Sequence, residues 1–411
     1  MISHLGLWNW QAYGREFAAA QRDRRKEARR QGVHESHVIN VAETNMCKAI
    51  LRGEVTESDY SIRRAFYATV ADGREIVQSW EDSRAGRPQG VNLVRESINT
   101  SAFANINQTF MVKKLIDHFN KPQLIARHLV SIVPTGDKWE RMPGVGQLGD
   151  GVRKVDEGES YPRVTLNEDW IETQETEKRG FIVEVTKEAI LFDKTGEVMR
   201  MADKGSEWLA INWEKRVLDT VLGLVDRYHR KGRGVQPTYG NNSGDHDWNN
   251  LQVNPLEDFS SLEKADMLFE DMTDPDTGEP IIVGEKQMVV PGALYQTALS
   301  ILNATEIRRN TQGVTDIGHA GSTAYANPYR GLPAPLSNQY VKRRTSSSTS
   351  WYYGDFKKAF AYMQNWAPES VTAPAGNDDD FERDIAFKAK SSEMGQVAVV
   401  EPRCVQKNTA T

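Results

Sequence analysis

The first pattern that could do chemistry is a run of glycines in the middle of the chain. Gly144, Gly146 and Gly149 match G-x-G-x-x-G, the turn that cradles the pyrophosphate of a dinucleotide. Such a turn needs a strand before it and a helix after it, because the phosphate binds at the helix N-terminus. Here Pro143 precedes the run and the charged sequence GVRKVDEG (151–158) follows it. The pattern therefore predicts a flexible arm rather than a nucleotide site.

Two clusters contain side-chain types that bind metals. His34 and His37 are three residues apart in HESH, whereas a zinc-binding H-E-x-x-H helix places its histidines four apart. Asp245, His246 and Asp247 lie in a run of Asn, Gly and Ser that is typical of a surface loop. We therefore predict a solvated helix face for the first cluster, a loop for the second, and no metal site.

The signatures of a catalytic nucleophile are also missing from the sequence. No G-x-S-x-G elbow is present, and neither Cys47 nor Cys404 has a histidine close to it in sequence. The sequence DPDTG (274–278) resembles the start of a calcium loop but lacks the later glutamate, so a turn is predicted. We expect a protein that is not an enzyme and that binds no cofactor.

Composition limits the class of protein further. The 411 residues are 39% hydrophobic and 26% charged, which is enough for a core and predicts two or three compact units. A net charge of −6 argues against a protein whose main task is to grip nucleic acid. No apolar run approaches the roughly 18 residues of a membrane span, and no secretory signal is evident. Two cysteines cannot form a disulfide framework, so we expect a soluble chain made in the cytosol.

Apolar spacing predicts the helices and strands. We predict helices at TFMVKKLIDHFN (109–120) and SLEKADMLFEDM (261–272), and a strand at KQMVVP (286–291) that runs directly into a helix at 292–304. Strands are also predicted at QYV (339–341), WYY (351–353), AFAYMQ (359–364), FERDIAFKAK (381–390) and QVAVVEP (396–402).

Residues 197–222 are predicted to form one long helix, because apolar side chains recur there at steps of three and four. The residues that carry this pattern are Val198, Met201, Trp208, Leu209, Val217, Leu218 and Val221.

Residues 139–182 differ sharply from their neighbours. They are rich in glycine and alternating charge and poor in apolar clusters, which predicts a long two-stranded arm. A solvated hairpin is one interpretation; an arm laid over a neighbouring copy is the one we favour, because its aromatic side chains would otherwise face water. The candidate interface residues are Trp139, Arg141, Arg153, Lys154, Glu157, Glu159, Tyr161, Trp170, Lys178 and Arg179.

The order of these elements resembles the Hong Kong 97-type major capsid proteins of tailed bacteriophages, over about residues 95–405. Three parts of the sequence carry the resemblance. The first is VDEGESYP (155–162) with RGFIVEVTKEAILFDKTGEV (179–198) and NWEKRVLDTVLG (212–223), the second is KQMVVPGALYQTAL (286–299), and the third is WYYGDFKKAFAYMQNWAPESVTAP (351–374) with FERDIAFKAKSSEMGQVAVVEP (381–402). They are similar to that family's extended loop and spine helix, its axial strand-then-helix, and its C-terminal β segment.

The resemblance implies an α+β, Hong Kong 97-like capsid fold with an N-terminal arm, an extended β-hairpin loop, a spine helix in a peripheral domain and an inserted axial domain. The expected segments are an N-terminal helical extension at 1–90, the arm at 91–138, the extended loop at 139–182, the peripheral domain at 183–254 and 366–411, and the axial domain at 255–365.

The function that the resemblance implies is a shell. Hexamers and pentamers of the chain would form an icosahedral capsid that holds double-stranded DNA non-specifically, after assembly in the cytoplasm of a host bacterium. Portal, scaffold or decoration proteins would be its other partners, with no membrane involved. Residues 1–90 have no clear counterpart in the minimal fold and are expected to act in assembly.

Two other functions remain open at this point. An encapsulin-type nanocompartment has the same fold and holds a cargo enzyme, but its subunits are usually shorter and lack a block like residues 1–90. A soluble α+β hydrolase is a remote alternative, and it would require a polar pocket on a monomer.

Overall fold

A computed structural model of the chain describes residues 44, 46–53, 101–143, 154–157, 170–186, 188, 197–230, 234–241, 248–273, 278, 280–310, 322–373 and 385–410. The glycine run at 144–149, the two histidines of HESH and residues 245–247 lie outside the described residues. The same holds for most of the predicted N-terminal extension and for most of the centre of the predicted loop.

The helices are α1 Ser101–Phe119, α2 Ala126–Leu129, α3 Glu197–Val221, α4 Phe259–Glu270, α5 Gly292–Asn303, α6 Gln339–Thr345 and α7 Phe356–Ala359. The strands are β1 Ser131–Pro134, β2 Arg141–Pro143, β3 Trp170–Glu172, β4 Glu177–Thr186, β5 Leu251–Val253, β6 Gln287–Val289, β7 Glu306–Asn310, β8 Ser322–Ala326, β9 Trp351–Gly354, β10 Phe360–Thr372, β11 Ile385–Val399 and β12 Val405–Thr409.

The chain divides into two compact units. The first comprises Met1–Lys121, Lys178–Ile211 and Trp366–Glu393, and the second comprises Pro122–Glu177, Asn212–Asn365 and Met394–Thr411.

Most of the predicted elements are confirmed. The helix at 109–120 is the second half of α1, the helix at 261–272 lies in α4, and the strand at 286–291 is β6, followed by α5. The predicted strand at 339–341 is wrong, because these residues begin helix α6. Asn338 caps that helix: its side-chain oxygen accepts a hydrogen bond of 3.0 Å from the backbone N–H of Tyr340.

Helix α3 confirms the predicted long helix and shows which face it buries. The side chains of Leu209, Val217, Leu218 and Val221 are 6% exposed or less, at the three- and four-residue steps of a helical stripe. Trp208 lies one residue off this stripe, a rotation of about 100°, and is 61% exposed. The side chains of the two most N-terminal predicted positions, 198 and 201, lie outside the described set.

The core of the second unit is built on a four-stranded sheet with the order β5-β12-β9-β6. Strand β12 is parallel to β5 and antiparallel to β9, which in turn is antiparallel to β6. At Gly354 in β9 the backbone has a φ of +142°, and an added Cβ would collide with the carbonyl of Cys404. The sheet therefore requires glycine at this position.

The alternation of β9 shows what covers each face of this sheet. Trp351 and Tyr353 point to the face covered by α4 and α5, where they join a cluster that includes Phe269 and Leu302. Tyr352 points to the other face, where its hydroxyl donates to the carbonyl of Leu222, just past the end of α3, over 3.3 Å. Helix α4 and the end of α3 thus lie on opposite faces of one sheet.

Another four-stranded sheet has the order β1-β10-β11-β4. Strand β1 is parallel to β10, with Ser131 opposite Ala361 and Pro134 opposite Gln364. Strands β4 and β11 pack closely at Gly180, where an added Cβ would meet the backbone of Ser391. The predicted C-terminal strands at 381–390 and 396–402 form one long strand, β11, which ends at Val399.

Candidate assembly surface

The two ends of the predicted loop are held together in one short antiparallel ladder. Strands β2 and β3 pair Arg141 with Glu172 and Pro143 with Trp170. The ladder is extended by backbone hydrogen bonds from Thr173 N–H to the Glu140 carbonyl, 2.9 Å, and from Thr176 N–H to the Lys138 carbonyl, 2.8 Å. Because both ends are fixed, residues 144–169 must leave and return at the same place. We call residues 138–143 and 170–176 the loop base.

Arg141 organises the exposed side of the loop base. Its guanidinium carbon lies 4.9 Å from the ring of Trp170 and 5.8 Å from the ring of Trp139, within the range of cation–π attraction. One Nη donates to the carboxylate of Glu172 at 3.1 Å. Trp139 remains 49% exposed. The arrangement therefore presents a large aromatic ring whose orientation is set by its neighbours.

Two further contacts attach the loop base to the rest of the second unit. Ile171 is 2% exposed and anchors β3 from below. The backbone N–H of Glu172 donates to the carbonyl of His229 at 2.8 Å, and the imidazole Nδ1 lies 3.3 Å from its carboxylate. The base is thus fixed both by burial and by hydrogen bonds.

The other predicted interface residues are distributed differently. Lys154 forms an exposed ion pair with Asp156 at 3.1 Å, and Glu157 is exposed. Lys178 and Arg179 lie in β4 of the first unit, where Lys178 Nζ is 5.6 Å from the ring of Trp366. Three predicted positions, 153, 159 and 161, lie outside the described residues. The structure thus brings together Trp139, Arg141 and Trp170.

The sequence analysis missed Glu214, a fully buried carboxylate on the apolar stripe of α3. Its two oxygens accept hydrogen bonds of 2.9 Å from the backbone N–H groups of Ile125 and Ala126, and Oε1 also accepts from Asn338 Nδ2 at 2.9 Å. Burial raises the pKa of Glu214, and these hydrogen bonds only partly oppose that shift. The signal in the sequence was a lone Glu at a core position of the helix, next to Trp213.

A second buried polar contact joins α1 to α3 within the first unit. His118 Nε2 lies 2.8 Å from Asp203 Oδ1, and its side chain is 7% exposed. Burial alone would raise the pKa of Asp203, but the hydrogen bond and charge of His118, with the charge of Lys114, hold it below its ordinary value. This pair fixes the position of α1 on the first half of α3.

Chemistry-bearing clusters are absent from the described part of the chain. No group of three or more His, Cys, Asp or Glu there could hold a metal ion. Within the same residues, no helix is both long and apolar enough to cross a membrane. Burial raises the pKa of the Cys404 thiol to about 12, and Glu401 adds to that shift, so this cysteine is no nucleophile near neutral pH.

Comparison with known proteins gives one family. Residues 171–408 match the family model described as phage capsid protein. A comparison of the sequence with curated proteins gives no match.

Solved structures similar to the chain include several particles. The capsid of a native GTA particle is 9% identical, with a TM-score of 0.43, covering 70% of this chain and 90% of that one. A virus-like particle from Pyrococcus furiosus is 10% identical, with a TM-score of 0.40, covering 72% and 97%. A chain of Gordonia phage Cozz is 12% identical, with a TM-score of 0.40, covering 70% and 86%.

Proposed function

Because the chain belongs to the phage capsid protein family, a family of structural shell proteins, we propose that it is the major capsid protein of a tailed phage or prophage. In this proposal, copies of the chain assemble as hexamers and pentamers into an icosahedral shell that encloses double-stranded DNA. The family match over residues 171–408 is the observation that carries the proposal.

The proposal includes a Hong Kong 97-like division of labour. Residues 139–182 are the extended loop, α3 is the spine helix of the peripheral domain, and residues 255–365 are the inserted axial domain. The long helix with one continuous buried stripe and the strand-then-helix of β6 and α5 support this assignment.

The loop base supports contact between copies. A segment of 144–169 that is fixed at both ends and poor in apolar clusters gains little by packing on its own chain. Trp139, beside Arg141, is half exposed at its root, and Trp and Arg are the side chains that most often carry interface energy. We therefore assign the loop to the surface of a neighbouring copy, with its charged residues paired across the contact.

The net charge suits a DNA container. A strongly cationic inner wall would release counterions from DNA and hold its phosphates, which would oppose both packaging and ejection. A chain with a net charge of −6 has no such overall attraction. DNA is accordingly proposed as a non-specific content.

Further partners are proposed on weaker grounds of sequence alone. Residues 1–90, with the basic run QRDRRKEARR (21–30), are assigned a role in assembly inside the host cytoplasm, facing a scaffold or portal protein. If a chain lacking 1–90 still forms particles of the correct size, this role is excluded.

The test is expression of the chain alone and then with its neighbouring genes, followed by negative-stain electron microscopy and light scattering. We expect hollow particles tens of nanometres across. Persistent monomers under both conditions would refute the proposal. Particles that hold a co-expressed enzyme and no DNA would replace it with a cellular nanocompartment.

A matched pair of variants tests the role of the loop base. Trp139→Ala removes the exposed ring, whereas Trp139→Phe keeps an aromatic face beside Arg141. We expect particle yield to fall severalfold for Trp139→Ala and to stay near wild type for Trp139→Phe, with the same melting temperature for both unassembled chains. Equal yields from the two variants would remove the loop base from the interface.

A further inference from the structure

One end of helix α4 carries an unusual concentration of negative charge. Residues 270–279 contain five acidic residues and no basic one. Glu270 and Asp271 are exposed at the C-terminus of α4, whose last turn has no basic side chain. Because that end of a helix carries a partial negative charge, acids there are unfavourable unless a cation faces them.

The same end of α4 also exposes apolar side chains. Met267 is 63% exposed and Ile282 is 79% exposed. They lie close together along the backbone, because the N–H of Ile281 donates to the carbonyl of Met272 at 3.0 Å. Lys358 reaches this region but donates to the Ile282 carbonyl, at 2.9 Å, rather than to a carboxylate. We call residues 267–282 the acidic end.

Helix α6 has the complementary composition. Residues 337–354 contain no acidic residue, and Lys342, Arg343 and Arg344 are exposed in the last turn of α6. Lys342 and Arg343 make no ion pair within the part of the chain that the structure describes. Leu224 and Val225, 42% and 39% exposed, follow the end of α3 beside this helix. We call α6 with residues 224–225 the basic end.

Contacts with α3 fix the position of the basic end. Arg344 Nε and Nη2 donate to the two carboxylate oxygens of Asp219 at 2.5 Å each. Lys215 Nζ lies 5.2 Å from the ring of Tyr340. Val341 is 1% exposed, so the helix is docked by one side and its other side presents Lys342 and Arg343.

The two ends lie on opposite sides of one unit. Helix α4 covers the face of the sheet to which Trp351 and Tyr353 point, whereas α3, which holds α6, reaches the face to which Tyr352 points. Two complementary surfaces on opposite sides of a subunit form a head-to-tail contact, and such contacts close into rings.

We propose that the acidic end of one copy binds the basic end of the next copy, with Met267 and Ile282 against Leu224 and Val225 and the charges around them. A second copy of this chain is the partner because each end supplies the charge and the apolar surface that the other lacks. The inference rests on the proposed function, since it names the surfaces through which copies meet within a hexamer or pentamer.

Charge reversal tests the contact. Glu270→Lys with Asp271→Lys reverses the acidic end, and Lys342→Glu with Arg343→Glu reverses the basic end. We expect each reversed chain to need at least about tenfold more protein for assembly, because like charges then face each other. Added salt should weaken wild-type assembly and partly restore the reversed chains, since it screens both attraction and repulsion.

Rescue separates contact from folding. A chain carrying all four reversals should assemble like wild type, and the two reversed chains mixed together should assemble better than either alone. The acidic-end reversal places lysines at a helix C-terminus, where they are favourable, so its melting temperature should not fall. Glu257→Lys, an equal charge change at an exposed position before α4, is the control and should assemble normally.

The outcomes distinguish this inference from the proposed function. If the wild-type chain forms particles but both reversals assemble normally, the inference is overturned and the shell function stands. If the basic-end reversal yields normal particles that lack DNA, the basic end binds DNA and the inference is also overturned. If wild type forms no particle under any condition, the proposed function itself fails.

Discussion

Replacing Glu214 should destabilise the chain far more than replacing another glutamate of the same helix. The buried carboxylate accepts three hydrogen bonds, from the N–H groups of Ile125 and Ala126 and from Asn338 Nδ2. Leaving a buried donor unpaired costs about 1–3 kcal/mol. Glu214→Ala strands all three donors and leaves a cavity, so we expect a loss of roughly 3–5 kcal/mol in the free energy of unfolding.

Glu214→Gln gives a finer test. The amide oxygen can still accept hydrogen bonds, but the NH₂ group faces donors, so at least one donor loses its partner. We expect a loss of about 1–3 kcal/mol. The control is Glu207→Gln on the same helix, where the carboxylate is half exposed and pairs with Lys121 at 2.8 Å. That pair should contribute no more than about 1 kcal/mol.

The pH dependence follows from the raised pKa of Glu214. Below the ordinary pKa of a glutamate, the carboxyl is protonated in both the folded and the unfolded chain, and its preference for the neutral form contributes fully to stability. As the pH rises through the raised pKa, the folded chain gives up this proton and the contribution is lost. The stability advantage of wild type over Glu214→Gln should therefore shrink between about pH 4.5 and neutrality.

The assay is urea unfolding of the unassembled chain, followed by tryptophan fluorescence at one protein concentration for all variants. A loss below 0.5 kcal/mol for Glu214→Gln, on the order of that expected for an exposed surface site, would refute the reasoning. So would an advantage over the variant that does not change with pH.

Three other predictions follow from single sites. Arg141→Ala should cut particle yield severalfold while costing the unassembled chain less than about 1 kcal/mol, because its ion pair is exposed; sedimentation and urea unfolding measure the two effects, and a loss of folding instead would contradict this. Gly354→Ala should cost roughly 3 kcal/mol or more, whereas Gly292→Ala, with open space around it, should be nearly neutral in thermal unfolding. Thiol labelling of the folded chain at neutral pH should leave Cys404 unmodified, and reaction at both this residue and Cys47 before unfolding would disprove its burial.

Local sequence signals predicted the helices well. The apolar steps between residues 197 and 222 located α3 within one residue of its observed end, because a helix that buries one face must repeat that spacing. The same spacing misplaced Trp208, since a large apolar residue next to the stripe satisfies a periodicity count without being buried. The strand predicted at QYV failed because β-propensity was given more weight than the capping residue Asn338.

The loop base and the buried Glu214 show the limit of sequence analysis. The prediction that residues 139–182 form a two-stranded arm is confirmed at its root by β2 and β3. The stacking of Trp139, Arg141 and Trp170 depends on a pairing register that the sequence does not reveal. The partners of Glu214 lie 88 to 124 residues away, and only the folded chain brings them together.

The strand order of the second unit has a consequence for the timing of folding. Strand β12 lies between β5 and β9, so Gln252 reaches its partner Gln406 across 154 residues of chain. At roughly 5–20 residues per second, a ribosome needs about 8–30 s to make that stretch. Until it has done so, β5 and β9 lack the strand that joins them. The surfaces on either side of the sheet therefore form only on nearly finished chains, which keeps incomplete polypeptides out of the growing particle. Nascent chains stalled before residue 405 should accordingly be protease-sensitive across β5 and β9.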